Sequence, residues 1–158
     1  MAFYYFDASA LVKRYVSELG SLWVNRIIDE VDADGLNTNH VYLSRVSQTE
    51  GAAAFSILER TGRISQRTRD LVYSRLTGEL NSLFRIIEVA PATFQQAAEL
   101  TQRHPLKAYD AVQLAVALEV HNLLNQHSIA LTFVSGDSTL LKAAQAEGLA
   151  TDNPFNHS

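Results

Sequence analysis

The sequence predicts an α/β fold of three layers, α/β/α, built on a mostly parallel, doubly wound sheet in strand order 3-2-1-4-5. Three observations lead there. Short β-branched or aromatic runs recur along the chain, as in FYYF, FRIIEV and IALTFVS. Between them lie stretches whose apolar residues fall at helical spacing. This alternation, sustained from end to end, is the pattern of a parallel sheet covered on both faces.

Phe3–Phe6 reads as strand one, and Ala8, Leu11, Val12, Tyr15 and Val16 place a helix over about 8–18. Gly20 breaks it, and Leu22, Val24, Ile27, Ile28 and Val31 suggest a second helix. Asp34-Gly35 signals a turn, followed by a short strand over 36–39 and a long helix over 41–60. Gly62 marks the next turn, and a helix is expected over 65–83. FRIIEV (84–89) is the third strand, and Pro91 suits the first turn of the helix after it. His104-Pro105 ends that helix. A further helix covers 107–124, a strand 129–135, a helix 139–147 and a last short strand 149–152. Neither a repeat nor a linker interrupts the 158 residues, so a single domain over 1–158 is expected.

Composition narrows the function. Seventeen acidic against thirteen basic residues leave a net charge of −4, unlike a protein that holds nucleic acid by overall positive charge. Five arginines between 60 and 75 read as a solvated helix face. The absence of cysteine excludes thiol chemistry and cysteine-bound zinc. No run approaches the roughly 18 apolar residues of a membrane span, and the N-terminus lacks a signal-peptide pattern, so the cytoplasm is the expected compartment. The histidines are scattered, and no glycine-rich phosphate loop or G-x-S-x-G elbow occurs.

Four acids stand where a core pattern or a strand end is expected. Asp7 follows strand one, where it could cap the next helix or face a ligand crevice. Glu50 lies on the inward stripe Leu43, Val46, Glu50, Ala53, Ile57, so it must find a partner, protonate or meet a cation. Asp110 interrupts the apolar helix LKAYDAVQLAVAL near its N-terminus, where the helix dipole favours negative charge. Asp137 follows LTFVSG and opens a helix, again as a cap or a site residue. In the order 3-2-1-4-5, strands one and four are neighbours at the switch point, which brings Asp7 and Asp137 together. Converging carboxylates repel unless a cation neutralises them, and all-oxygen ligation selects Mg²⁺ or Mn²⁺.

Together these segments resemble the PIN-domain nucleases, most closely the VapC-type toxins of type II toxin–antitoxin systems. FYYFDASALVKRY is similar to the family's opening strand with D-x-S-[AV]-[LIV]-[VL]-K. Glu50 in LSRVSQTEGAAAF matches its second acid, with Glu59 the alternative on the same helix. LKAYDAVQLAVAL resembles the Y-D-A-x-x-x-A-x-A helix, and FVSGDSTLLKAAQAEGL the closing [TS]-x-D-x-x-L-x-x-A-A-x-x-x-G-L segment. Ser135 stands where Thr is common, and Gly51-Ala52 are smaller than usual. The resemblance covers nearly the whole chain. It implies that Asp7, Glu50, Asp110 and Asp137 bind Mg²⁺ or Mn²⁺, and that Ser9 and Ser135 support an acid, a water or the metal shell. It also implies hydrolysis of RNA phosphodiesters, inhibition by a cognate antitoxin protein, and frequent homodimerisation.

Lys13, Arg14 and Lys107 are candidates for steering RNA, against the plainer reading of ordinary surface bases. Two other functional readings compete. A non-catalytic PIN-like module would bind RNA or a protein partner through the same fold. A phosphotransfer domain fits poorly: a haloacid-dehalogenase-like phosphatase wants an acid where Ser9 stands, and a receiver domain wants an adjacent acid pair near the N-terminus.

Overall fold

Strand β1, Phe3–Phe6, alternates between two hydrophobic cores, as side chains on a strand point to opposite faces. Tyr5 enters one core and stacks on Phe133, with ring centroids 5.6 Å apart. Phe6 enters the other, beside Leu43, Phe55 and Val134. In the computed structural model, which describes residues 1–158, the order of elements along the chain is as follows. After β1 come α1 (Ala8–Val12), α2 (Ser21–Asp29), β2 (His40–Ser44), α3 (Val46–Arg60) and α4 (Gln66–Leu80). Then follow β3 (Arg85–Ile87), α5 (Pro91–Arg103), α6 (Ala108–Asn125), β4 (Thr132–Val134), α7 (Ser138–Ala146) and β5 (Ala150–Asp152). A 3₁₀ turn, Pro154–Asn156, closes the chain.

The five strands form one sheet in the order β3-β2-β1-β4-β5, and every pairing is parallel. This is the predicted doubly wound topology. The first core is roofed by α5, α6 and α7, the second by α1 to α4. Because β1 lies between β2 and β4, the connections leave it in opposite directions, and the switch point falls at its carboxyl end.

Two boundaries differ from the sequence reading. The segment 36–39 is not a strand of the sheet: Asn37 makes an isolated antiparallel bridge to Val31 in the loop. The second strand is instead His40–Ser44, so α3 starts at Val46 rather than 41. Leu43 fits a helical stripe with Val46 and Glu50 as well as the alternate buried positions of a strand with Val41, and tertiary pairing with β1 decides between them. The first helix is also shorter, ending at Val12, although Tyr15 remains in the core beyond it. No helix is long and apolar enough to cross a membrane.

Candidate active site

Asp7 stands one residue past β1 and is only 4% exposed. It does cap α1: Oδ1 accepts from the Ala10 amide at 2.9 Å and from the Ser9 hydroxyl at 2.7 Å. Its other oxygen accepts from Ser135 Oγ at 2.6 Å. Burial raises its carboxyl to about 6, although the Ser135, Ser9 and Ala10 bonds pull the other way, and the charge of Asp110 adds to the rise. A cap of ordinary kind needs neither such burial nor two serines.

The two serines knit the ends of β1 and β4 together. Ser9 Oγ also accepts from the Gly136 amide at 2.8 Å, and Ser135 Oγ from the Asp137 amide at 3.0 Å. Asp137 caps α7 through Oδ1, which accepts from the amides of Thr139 and Leu140. Asp110 sits in the first turn of α6. Burial raises its carboxyl, the charge of Asp137 raises it further, and Lys107 alone opposes.

Glu50 arrives from α3, half-buried. Burial raises its carboxyl to about 7, with Asp7 and Asp110 contributing and a bond from Gln113 opposing. That bond, Gln113 Nε2 to Glu50 Oε1, is 2.9 Å long. The same amide donates to Ser47 Oγ at 2.9 Å, and its oxygen accepts from the Tyr5 hydroxyl at 2.6 Å. The sequence reading passed over Gln113, Ser47 and Tyr5. The signal was a lone amide, Gln113, three residues past Asp110 in an otherwise apolar run. Glu59, by contrast, lies nine residues further along α3, about 13 Å away at the usual helical rise, and pairs with Arg69 at 3.5 Å.

A cleft of about 820 Å³ opens beside Ser9, lined by Thr49, Tyr109 and Phe155 and by two of the four acids, Glu50 and Asp137, while Asp7 and Asp110 are not among its lining residues. The carboxylates around it act on one another in a chain: Glu50 feels Asp7 and Asp110, and Asp110 feels Asp137. The donor chemistry, carboxylate oxygens with no cysteine, suits a hard cation. As the side chains stand, however, no three Asp, Glu or His residues are grouped closely enough to hold one ion. Enclosing a cation therefore requires the carboxylates to draw together.

The bases behave differently from the sequence expectation. Lys13 is 1% exposed, and its ammonium pairs with Glu18 at 2.9 Å and donates to the Leu19 carbonyl at 2.8 Å. It also lies 3.7 Å from the centre of the Phe155 ring. Arg14 is bound to Asp29 at 2.6 Å and to Glu79 at 3.3 Å, with its side chain 8% exposed. Arg14 is thus held in the packing, whereas Lys13, although buried, is among the residues lining the cleft. Lys107 remains exposed at the start of α6.

No protein-family model matches the sequence. Two curated proteins do: ribonuclease VapC45 of Mycobacterium tuberculosis strain CDC 1551 / Oshkosh and ribonuclease VapC49 of strain ATCC 25618 / H37Rv. Each is 32% identical over 126 residues, covering 76% of this chain and 78% of the relative. Among solved structures, FitAcB from Neisseria gonorrhoeae superposes with a TM-score of 0.61 at 19% identity, over 96% of this chain and 98% of that one. The M. tuberculosis toxin VapC20, described as cleaving the sarcin–ricin loop, gives 0.59 at 17% identity, over 93% and 96%. PAE2754 from Pyrobaculum aerophilum gives the same score and identity over 98% and 85%. These structural likenesses establish a shared fold, and the sequence identity to the two mycobacterial proteins goes further: the chain belongs to the VapC-type PIN-domain family.

Proposed function

We propose that this protein is a metal-dependent endoribonuclease, the toxin of a toxin–antitoxin pair, acting in the cytoplasm on RNA phosphodiesters. The observation that carries the reading is the set of carboxyls at the switch point, of which Asp7 and Glu50 are raised to about 6 and about 7. Burying like charges together is costly, and such groups mark functional sites. The relatives' description as ribonucleases supports the reaction class. The antitoxin partner and self-association rest on family membership.

Asp7, Glu50, Asp110 and Asp137 are the residues that would hold Mg²⁺ or Mn²⁺. When bound, the cation supplies positive charge opposite the phosphodiester and activates water for in-line attack. The protein's own part is positional. Ser9, Ser135 and the Ala10 amide fix the Asp7 carboxylate in one orientation. Asp137 commits Oδ1 to the α7 amides and keeps Oδ2 for the cleft. Acidic walls repel an RNA backbone, so a cation held by these carboxylates would be needed to offset their charge.

The direct test is cleavage of total RNA by purified protein with Mg²⁺ or Mn²⁺, and again with excess chelator. Cleavage that survives chelation overturns the metal reading. One observation favours a second function, a non-catalytic PIN-like module that binds RNA or a protein: the acids are not gathered around one point as they stand. Absence of cleavage together with absence of Mn²⁺ binding by calorimetry would establish that alternative.

A further inference from the structure

Ten residues of α6 are buried, and Gln113 is the one among them that is not Ala, Val or Leu. A primary amide at such a place is unfavourable unless its donors and acceptor are all paired. They are: both N–H groups are given away, to Ser47 and Glu50, and the oxygen receives the Tyr5 hydroxyl. A side-chain amide has two N–H donors on nitrogen, so none is left over. Tyr5 and Ser47 are themselves 0% exposed. The amide is thus clamped between β1, α3 and α6, with its NH₂ end turned toward Glu50. Part of the arrangement satisfies the buried Tyr5 and Ser47 hydroxyls, which Leu or Met at 113 would deprive of this partner, whereas the bond to Glu50 is the part that core packing does not require.

We propose that Gln113, oriented by the Tyr5 hydroxyl, is a positioning residue for Glu50, holding Oε1 of that carboxylate so that Oε2 is presented to the cleft. The inference rests on the reading of the cleft as a metal-dependent nuclease site, and it adds a residue that acts through Glu50 rather than on substrate. Outer partners of this kind orient a ligand, and their loss weakens metal binding by about 10–100-fold. A purely structural Gln113 would influence folding stability and nothing else.

Three variants separate these roles: Gln113→Met, which keeps bulk and loses the donors; Tyr5→Phe, which frees the amide to turn; and Val116→Ala, a core truncation on the same helix. Each is melted and titrated calorimetrically with Mn²⁺ in the absence of RNA, and then assayed for kcat and KM. The expected result is a Mn²⁺ Kd raised at least about 10-fold in Q113M, with a smaller rise in Y5F. Val116→Ala should lower Tm while leaving Kd within about twofold of wild type, as expected of a site with no shared partners. In cleavage, Q113M should lose kcat with RNA KM nearly unchanged. A wild-type Kd in Q113M, with only Tm reduced, overturns the inference and leaves the nuclease reading standing. If Q113M does not fold, a wild-type Kd in Y5F overturns it in the same way. Failure of the wild-type protein itself to bind Mn²⁺ overturns the metal reading, and this inference with it.

Discussion

Ser135 and Asp7 stand 128 positions apart in the chain, and the Ser135 hydroxyl donates a 2.6 Å hydrogen bond to Asp7 Oδ2. A bond of this kind to a charged acceptor contributes about 1.5–3 kcal/mol. Replacing Ser135 with Ala removes one of the donors that hold the Asp7 carboxyl down. RNA cleavage at neutral pH should fall about 10–100-fold, and the acid limb of the pH–rate profile should move to higher pH. Ser135→Thr keeps the hydroxyl and should retain most of the activity. Equal activity in S135A and wild type across the profile would show that Asp7 does not need this donor.

Asp7 also sets a pH dependence of stability. Its folded value of about 6 lies above its ordinary 3.8, and that of Glu50, about 7, above 4.5. Each group binds its proton more tightly in the folded chain. Metal-free stability is therefore fullest below the ordinary values and declines as pH rises through 3.8 to about 6 for Asp7 and 4.5 to about 7 for Glu50. Asp7→Asn should abolish cleavage yet stabilise the metal-free protein at pH 8 by about 1–3 kcal/mol. The gain should vanish near pH 4. Urea midpoints at the two pH values measure it, and a destabilised D7N at pH 8 would contradict the sign.

Asp110 is raised by burial and by the charge of Asp137, and Lys107 alone opposes. Asp110→Asn should reduce RNA cleavage by at least about 100-fold while shifting Tm by only a few degrees. Mn²⁺ should raise the Tm of wild type by mass action, about 2.7 kcal/mol at one hundred times Kd. In D110N that shift should shrink or disappear. A full Mn²⁺-induced shift in D110N would remove Asp110 from the ligand set.

Gly20 carries the terminal turn. Its φ is +88°, and a Cβ there would lie 2.5 Å from the Pro154 carbonyl oxygen. Gly20→Ala combines a left-handed backbone with a backbone clash, so a loss of about 2 kcal/mol or more is expected in thermal melts. Pro154–Asn156 should detach with it, since His157 stacks on Trp23 at 4.1 Å and Phe155 rests against Lys13. An unchanged Tm in G20A would mean that the turn contributes little to stability.

The topology was legible because its strands left a plain mark, and the four acids stood out as candidates because each interrupts a core pattern or follows a strand. FYYF and LTFV read as core strands, while an acid directly after such a strand can equally be a helix cap, as Asp7 and Asp137 both are. Glu50 was singled out on a stripe that the structure corrects: Leu43 belongs to β2, Ala53 and Ile57 are exposed, and the buried face of α3 is Ser47, Gly51 and Phe55, with Glu50 half-buried beside it. Gln113 escaped notice because an amide carries no charge, and its meaning depends on Tyr5 and Ser47, which are remote in the chain. Lys13 misled for the opposite reason. A lysine two positions before Tyr15 looks solvated until Glu18, Leu19 and Phe155 close around it.

The bond between Ser135 and Asp7 also has a meaning for how the protein is made. The first strand is central in the sheet, yet one of its two neighbours, β4, is separated from it in the chain by every helix from α1 to α6. A chain folded only through α6 has Asp7, Glu50 and Asp110 but neither Ser135 nor Asp137. The Asp7 amide then lacks the Val134 carbonyl that it pairs with at 3.1 Å. The pocket around Asp7 is therefore completed only when β4 and the residues that follow it have joined the sheet.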